Sequence, residues 1–191
     1  MISSTGEMRV IGGIHRGRRL RTIGGLAVRP TSDRLRERLF NILAPRIQGS
    51  RFLDICAGSG AVGIEALSRG ASEVTFIERS RRACAVIEAN LASLGIAQAT
   101  IINQNAAVSL KQLDQETTQF DIAFFDPPYA SEIYTQVMNQ LSSGNLLTAE
   151  ALVIVEHRVK TPPGPDCGKL RIFREVKQGE SALAFYEISP V

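Results

Sequence analysis

The sequence predicts one α/β domain in which a mostly parallel sheet of seven strands carries helices on both faces. Short apolar segments alternate with helical segments from residue 51 onward, and this alternation is typical of parallel strands joined by crossover helices. Residues 120–125 form a nearly continuous apolar run, as expected for a strand buried on both faces. A chain of 191 residues with 44% hydrophobic content suits a single globular core.

Periodicity places the individual elements along the chain. The last two predicted strands flank Gly179, which indicates a hairpin and therefore an antiparallel edge. Gly95 is the expected stop of the longest predicted helix, and the proline-rich residues 161–165 are predicted to form an exposed loop. The predicted strands are 51–56, 73–78, 100–102, 120–125, 151–155, 169–176 and 182–188, and the predicted helices are 62–68, 80–94, 106–113 and 132–141.

The N-terminal residues have a different pattern. Residues 8–30 alternate short apolar runs with glycines, which predicts short strands or a β-hairpin that ends at Pro30. Thr31 or Ser32 is expected to cap a following helix. The apolar residues of that helix fall on one face, and they are Leu35, Leu39, Phe40, Ile42 and Leu43.

Positive charge is concentrated in the same region. Residues 1–40 contain nine arginines and three acidic residues, a net charge of +6, whereas the rest of the chain carries −3. Guanidinium groups suit phosphates and stack on bases, so we predict a basic arm (residues 1–31) that docks RNA, attached to a main domain (residues 32–191). A solvated basic face is the alternative. The arginines expected to contact RNA are Arg16, Arg18, Arg19 and Arg34.

Cysteine and histidine usage argues against a disulfide framework and against a metal centre. The three cysteines (Cys56, Cys84 and Cys167) lack CxxC spacing, and two histidines are too few for a histidine-based site. No apolar run approaches about 18 residues, and residues 1–8 lack the apolar core of a secretory signal. We therefore expect a cytoplasmic protein with reduced thiols and no metal.

Three glycines and two acidic residues predict a ligand-binding turn after the first strand of the main domain. Gly58, Gly60 and Gly63 fit the G-x-G-x-x-G spacing, and Glu78 lies at the end of the next strand, where it can accept hydrogen bonds from ribose hydroxyls. Taken alone, this is also a dinucleotide fingerprint or a simple packing turn. However, Asp54 would repel a pyrophosphate and attract the ammonium and sulfonium groups of S-adenosylmethionine, so we favour that cofactor over NAD.

A second motif follows strand 120–125, at the edge of the sheet where ligands bind in such folds. It consists of Asp126, Pro127, Pro128 and Tyr129. The Asp126 carboxylate and the Pro127 carbonyl can accept both N–H groups of a planar base amine, which favours a pyramidal nitrogen whose lone pair points at the methyl donor. The prolines fix that carbonyl, and Tyr129 offers a face for base stacking. The alternative is an ordinary proline-rich turn.

Together these motifs resemble the class I amino-methyltransferases, and the N-terminal residues narrow the resemblance to the RsmD family of bacterial 16S rRNA guanine-N2 methyltransferases. The resemblance covers nearly the whole chain from Met8 and is weakest after residue 157. The stretches that carry it are RVIGG at 9–13, RGR at 16–18, RPTSDRLRERLFN at 29–41 and AGSGAVGIEALSR at 57–69. It implies a Rossmann-like fold and a 16S rRNA substrate, presented within the small ribosomal subunit or its precursor. We also expect the protein to be a monomer.

The resemblance also implies a set of cofactor contacts. Residues 54–60 would line the methionine part of the cofactor, Glu78 would hold the ribose, and Asn105 and Ala106 would meet the adenine. Many relatives have Asp where this chain has Asn105, but the amide oxygen can still accept a hydrogen bond from adenine. Segment 29–41 would cover either the cofactor or RNA. The expected cofactor-binding residues are Asp54, Ala57, Gly58, Ser59, Gly60, Glu78, Arg79, Asn105 and Ala106.

Other residues at this edge are not assigned to the chemistry. Glu156 and His157 are expected to be structural or to lie at the rim, since amine methylation needs no strong base. We interpret Cys56 as a small buried residue, and Ser59 lacks the partners of a catalytic triad. The alternatives left open are a DNA adenine-N6 methyltransferase, a protein-glutamine methyltransferase, an NAD oxidoreductase and an RNA-binding assembly factor without catalysis.

Overall fold

The computed structural model describes residues 8–23, 33–127, 133–164 and 166–189. Within these ranges the protein is an α/β domain of five helices and eight strands, which confirms the predicted fold class. The helices are α1 (Asp33–Ile47), α2 (Ala61–Ser68), α3 (Arg81–Leu94), α4 (Ala106–Gln115) and α5 (Ile133–Ser143). The strands are β1 (Arg51–Ile55), β2 (Glu73–Ile77), β3 (Ala99–Ile102), β4 (Phe120–Phe125), β5 (Leu147–Arg158), β6 (Asp166–Cys167), β7 (Leu170–Gln178) and β8 (Ser181–Ile188).

The strands form one sheet in the order β3-β2-β1-β4-β5-β8-β7-β6. The first five strands in this order are parallel, and the last three pair antiparallel, as predicted. Gly179 has the positive φ of 61° that the turn between β7 and β8 requires. The sheet has eight strands rather than the predicted seven because β6 has only two residues, too few to produce a periodic pattern.

Side chains of β4 alternate between two hydrophobic layers. Ile122 and Phe124 pack with α1, α2 and α3 on one face, whereas Ala123 and Phe125 pack with α4 and α5 on the other. All four are at most 1% exposed, so β4 is buried on both faces as its apolar run predicted. Fully burying a phenylalanine side chain contributes about 1.5–3 kcal/mol, so Phe124 and Phe125 stabilise the two layers on either side of the sheet.

The described part of the arm is a short antiparallel hairpin. Arg9 and Arg19 form an antiparallel bridge, the Val10 N–H donates to the Arg18 carbonyl at 2.9 Å, and the Leu20 N–H donates to the Met8 carbonyl at 2.8 Å. Beyond this bridge, the N–H groups of Ile11 and Gly12 donate to the Glu65 carboxylate on α2. The rest of the predicted hairpin, including Pro30, lies outside the described residues. Met8, Val10 and Leu20 are buried in the same cluster as α1 and α2.

Helix α1 has the predicted amphipathic character. The five apolar positions expected on one face are all buried or partly buried, while Arg34 and Arg38 are exposed. Arg36, which the periodicity did not distinguish from its neighbours, is only 1% exposed. The expected capping residues Thr31 and Ser32 lie outside the described residues. In the described ranges, none of the helices has both the length and the apolar character that a membrane crossing requires.

Candidate active site at the carboxyl ends of the strands

Four acidic residues lie at the carboxyl ends of four neighbouring parallel strands. Asp54 is near the end of β1, Glu78 follows β2, Asp126 follows β4, and Glu156 lies near the end of β5. The order of the strands reverses between β1 and β4, since β1 continues to β2 on one side and β4 to β5 on the other. Ligands of open α/β sheets bind at such a reversal, outside the carboxyl ends of the strands.

The glycine loop (residues 57–60) joins β1 to α2. Gly58 and Gly60 have φ values of 56° and 75°, which L side chains rarely adopt, and the Gly60 N–H donates to the Ala57 carbonyl at 2.8 Å. The N–H groups of Cys56 and Ala57 both donate to the Ile77 carbonyl, at 2.9 and 3.1 Å, and so hold the loop against β2. Gly60 caps α2 without a side-chain hydrogen bond, and in the first turn of the helix the Gly63 N–H donates to the Asp54 carboxylate instead.

The third glycine of the motif has a packing role. A Cβ atom built on Gly63 would lie 2.3 Å from Cε1 of Phe76, so only glycine lets α2 lie this close to β2. The sequence motif therefore combines two loop glycines with one glycine at the contact between helix and strand, as the dinucleotide-type turn also does.

Asp54 is buried directly beneath this loop. Its side chain is 2% exposed, and its Oδ2 accepts a hydrogen bond from the Gly63 N–H at 2.9 Å. Burial raises the pKa of Asp54 to about 7; the Gly63 hydrogen bond lowers it, and the charge of Glu78 raises it further. A cation placed against the carboxylate would favour its ionised form, so the position suits a positively charged ligand group.

Glu78 fixes the other side of the loop. Its Oε2 accepts from the Gly58 N–H at 2.9 Å, and its Oε1 accepts from the Ser80 N–H at 2.8 Å, next to the start of α3. Each carboxylate oxygen retains lone pairs that can accept from ribose hydroxyls. Asn103, which the sequence did not single out, donates to the carbonyls of both Glu78 and Arg79 at 3.0 Å and thereby holds this turn in place.

The residues expected to meet adenine lie at the start of α4. Asn105 caps the helix, and its Oδ1 accepts from the Ala107 N–H at 2.9 Å. The oxygen predicted to accept from adenine thus already has one protein donor and one further lone pair. Asn105 and Arg79 are exposed, whereas Ala106 is buried.

Asp126 and Pro127 extend β4 beyond its last ladder pair. The Asp126 N–H donates to the Ile55 carbonyl at 3.3 Å, so the start of the second motif is attached to β1. Burial raises the pKa of Asp126 well above its usual range, and the charges of Glu156 and Asp54 raise it further. Pro127 is half-buried, and the other two residues of the motif, Pro128 and Tyr129, lie outside the described residues.

Glu156 and His157 are both buried, at 5% and 7% exposure, and so do not lie at an exposed rim. The charge of Glu156 contributes to the raised pKa of Asp126, an influence that the sequence did not indicate. The Nε2 atom of His157 lies 3.4 Å from Oε1 of Glu175, and its Nδ1 lies 2.9 Å from the Arg158 carbonyl. His157 therefore contacts groups on β5 and β7.

Cys56, expected to be a small buried residue, is half-buried. Burial and the charges of Glu78, Asp126 and Asp54 raise the pKa of Cys56 to about 12, so its thiol is protonated at neutral pH. The Ser59 hydroxyl donates to the Met8 sulfur at 3.3 Å. Among the described residues, no three His, Cys, Asp or Glu side chains are grouped as a metal site.

The arginines proposed for RNA contact are all exposed. Arg16, Arg18 and Arg19 lie together on the arm, whereas Arg34 lies on α1. The guanidinium of Arg18 donates to the Ser93 carbonyl on α3 at 2.8 Å, which fixes one edge of the arm beside that helix.

Comparison with known proteins supports the resemblance noted above. The family model described as conserved hypothetical protein 95 matches residues 8–187. The Escherichia coli (strain K12) protein named ribosomal RNA small subunit methyltransferase D is 39% identical over 185 residues, which cover 97% of this chain and 92% of that protein. Its namesake in Haemophilus influenzae is 41% identical over 162 residues, which cover 84% and 83% of the two chains. The solved structure of the Escherichia coli protein yhhF superimposes with a TM-score of 0.84 at 36% identity, covering 97% of this chain and all of that one.

Proposed function

This chain belongs to the family described as conserved hypothetical protein 95. We propose that it is an S-adenosylmethionine-dependent methyltransferase that modifies the exocyclic N2 amine of a guanine in 16S rRNA. The observation that carries the proposal is the position of Asp126 and Pro127 beside the glycine loop, at the reversal of strand order. The names of the relatives as small-subunit rRNA methyltransferases supply the substrate.

The residues around the glycine loop have the chemistry that this cofactor needs. S-adenosylmethionine supplies a methyl group on a positively charged sulfur, and it also carries an ammonium group. A buried carboxyl at Asp54 and a desolvated one at Asp126 suit these cationic groups. The residues that would hold the cofactor are Asp54, Ala57, Gly58, Ser59 and Gly60 at its methionine part, Glu78 and Arg79 at the ribose, and Asn105 and Ala106 at the adenine.

Asp126 and Pro127 act on the guanine. The Asp126 carboxylate and the Pro127 carbonyl accept the two N–H groups of the base amine and orient the nitrogen lone pair. Asp126 stabilises the positive charge that develops on this nitrogen, and a carboxyl with a raised pKa can also take up the proton that the methylated amine must lose. Pro128 limits the freedom of the turn, and Tyr129 stacks on the base.

The arm supplies the RNA contacts. We assign residues 1–31 to an RNA-docking arm and residues 32–191 to the methyltransferase domain, with Arg16, Arg18, Arg19 and Arg34 as phosphate contacts. The protein acts as a cytoplasmic monomer on 16S rRNA within the small ribosomal subunit or its precursor.

The same loop can orient any planar amine, so a DNA adenine or a protein glutamine is the nearest alternative substrate. An NAD oxidoreductase is disfavoured because Asp54 lies beneath the loop that would have to receive a pyrophosphate. Separate titrations with S-adenosylhomocysteine and NADH distinguish the two cofactors, since only the first should bind.

Mass-spectrometric mapping of modified nucleosides in small-subunit rRNA tests the substrate. Cells that contain the protein should have one N2-methylguanine that is absent from cells lacking it, and the wild-type gene should restore it. A variant with Asp126→Ala should fail to restore it. Identical modification maps with and without the protein would contradict the proposed substrate.

A further inference from the structure

Asn90, on α3, joins two segments that are far apart in the sequence. Its Oδ1 accepts from the Arg21 N–H at 2.7 Å, and its Nδ2 donates to the Arg21 carbonyl at 3.1 Å. The same Nδ2 also donates to the Ser59 carbonyl at 3.2 Å. Asn90 is 1% exposed, so these hydrogen bonds form away from solvent. One buried carboxamide therefore pairs with both backbone groups of an arm residue and with the glycine loop.

A second contact reinforces this junction. The Ser59 hydroxyl donates to the Met8 sulfur at 3.3 Å, and Met8 is joined to the far strand of the arm because its carbonyl accepts from the Leu20 N–H at 2.8 Å. The arm thus contacts Ser59 at its hydroxyl directly and at its carbonyl through Asn90. Both contacts are therefore made to Ser59, the loop residue that the proposed cofactor would touch.

The opposite side of the arm is attached to α2. The Glu65 carboxylate, which is fully buried, accepts from the N–H groups of Ile11 and Gly12, both at 2.7 Å. The Ser68 hydroxyl donates to the Gly12 carbonyl at 2.6 Å. Because α2 begins at the glycine loop, the loop lies between two anchored contacts of the arm. A displacement of the arm must therefore move the loop or break buried hydrogen bonds.

We propose that Asn90 is a positioning residue that couples the arm to the glycine loop, so that bound RNA and bound cofactor each increase the affinity for the other. The inference rests on the proposed function, since it takes the arm as the RNA-binding element and the loop as the cofactor-binding element. Coupling between two binding sites is reciprocal, so the same factor should appear whichever ligand is titrated.

The test measures the dissociation constant of S-adenosylhomocysteine with and without a transcript of small-subunit rRNA. For the wild type we expect RNA to tighten binding by a factor on the order of 5–150, the usual range for coupled sites. Asn90→Leu keeps the branched shape and the number of heavy atoms of the side chain and removes all three hydrogen bonds, so the factor should fall to about one. A purely structural role would lower the melting temperature and leave the factor unchanged.

Ser93→Ala is the matched control. Ser93 lies one turn further along α3, and its hydroxyl donates to the Asn90 carbonyl rather than to the arm or the loop. This variant should retain the wild-type factor. A wild-type factor in Asn90→Leu, or a factor of one in the wild-type protein, would overturn the proposal.

A second measurement tests the coupling between the arm and the glycine loop without a variant, and it can be used if Asn90→Leu does not fold. RNA added to the wild-type protein without cofactor should slow hydrogen exchange of the Gly60 amide, which donates to Ala57 within the loop. Unchanged exchange would overturn the coupling. Failure of the wild type to bind either ligand would remove the proposed function together with this inference, whereas binding of both with a factor of one would remove this inference alone.

Discussion

The backbone N–H of Asp126 donates to the carbonyl of Ile55 at 3.3 Å. This hydrogen bond continues the pairing of β4 with β1 by one residue beyond the last ladder pair, Ile55 with Phe125. The residue proposed to hold the base is thereby attached to the strand that leads into the glycine loop. Correct alignment of the reacting nitrogen with the methyl donor depends on such fixed attachments.

Replacing Asp126 should slow methyl transfer without weakening the binding of the cofactor product. Asp126→Ala removes the carboxylate that orients the amine and stabilises its charge, so methyl transfer should fall by a factor on the order of 10²–10³ or more. The affinity for S-adenosylhomocysteine should persist, because the loop contacts remain. Single-turnover methylation of rRNA and calorimetric titration give the two quantities.

Asp121→Asn is the control for Asp126, because Asp121 lies on the same strand but near its opposite end, where it accepts from the Arg51 N–H. This variant should methylate RNA at nearly the wild-type rate. Wild-type activity in Asp126→Ala would remove the assigned role.

Cofactor binding should depend on pH through Asp54. In the free protein its pKa is about 7, so below this pH the carboxyl is increasingly protonated and the ligand's cationic groups must displace a proton. Affinity should therefore rise as the pH increases from about 6 to 8, with proton release largest at the acidic end. Calorimetry in buffers of different ionisation enthalpy measures the release, and Asp54→Asn should reduce the dependence to the part that comes from Asp126.

The raised pKa of Asp54 also predicts how the stability of the ligand-free protein depends on pH. Because the pKa of Asp54 is higher in the folded state than in the unfolded chain, its contribution to stability is present below about pH 4 and is lost as the pH rises through about 7. The unfolding free energy of wild type relative to Asp54→Asn should decrease over that interval. A difference that is constant with pH would contradict the assignment.

The glycines of the turn should differ in their tolerance to alanine. Gly63→Ala places a methyl group against Phe76, so overpacking should cost about 1–3 kcal/mol of unfolding free energy. Gly58→Ala meets no atom within 4 Å, and its cost of about 1–2 kcal/mol comes from the positive φ alone. Urea denaturation gives both values.

Gly49→Ala supplies the comparison for Gly58, since Gly49 also has a positive φ and no atom within 4 Å but lies outside the site. Both variants should lose similar stability, and only Gly58→Ala should weaken cofactor binding. Equal binding by the two variants would argue against a ligand role for Gly58.

Charge reversal on the arm tests the RNA interface. Changing Arg16, Arg18 or Arg19 singly to Glu should weaken RNA binding and reduce the magnitude of the salt slope by about 0.7 for each phosphate that the arm no longer neutralises. Lys111→Glu, an equal charge change on α4 across the sheet, should leave the slope unchanged. Identical slopes for the arm variants and this control would show that the arm does not bind the RNA.

The sequence predicted the sheet well because its signals are local. Apolar runs identified β4, and the stop at Gly95, which has a φ of 69°, fixed the end of α3. The arm was predicted less completely, because the side chains of Glu65 and Ser68 on α2 also accept hydrogen bonds from its backbone. Partners more than 50 residues apart leave no periodic pattern in the sequence.

The residues of the site also fall into those that local sequence signals predicted and those that they missed. The spacing from Asp54 to Glu78 and the motif that begins at Asp126 follow from residues at strand ends, and the structure places these three at one edge of the sheet. Asn90 and Asn103 were missed, because an asparagine in an amphipathic helix or a polar turn resembles a surface residue. Their roles depend on carbonyl groups brought to them by the fold.

The strand order also bears on how the protein can be made. β1 lies between β2 and β4, so its second edge stays unpaired until the chain has been synthesised beyond residue 125. A gene fragment that ends before β4 would leave Asp54 on an uncovered strand, and one that starts at β4 would lack the glycine loop. The glycine loop and Asp126 are therefore neighbours in space, but a fragment that carries only one of them lacks the strand with which its own strand pairs.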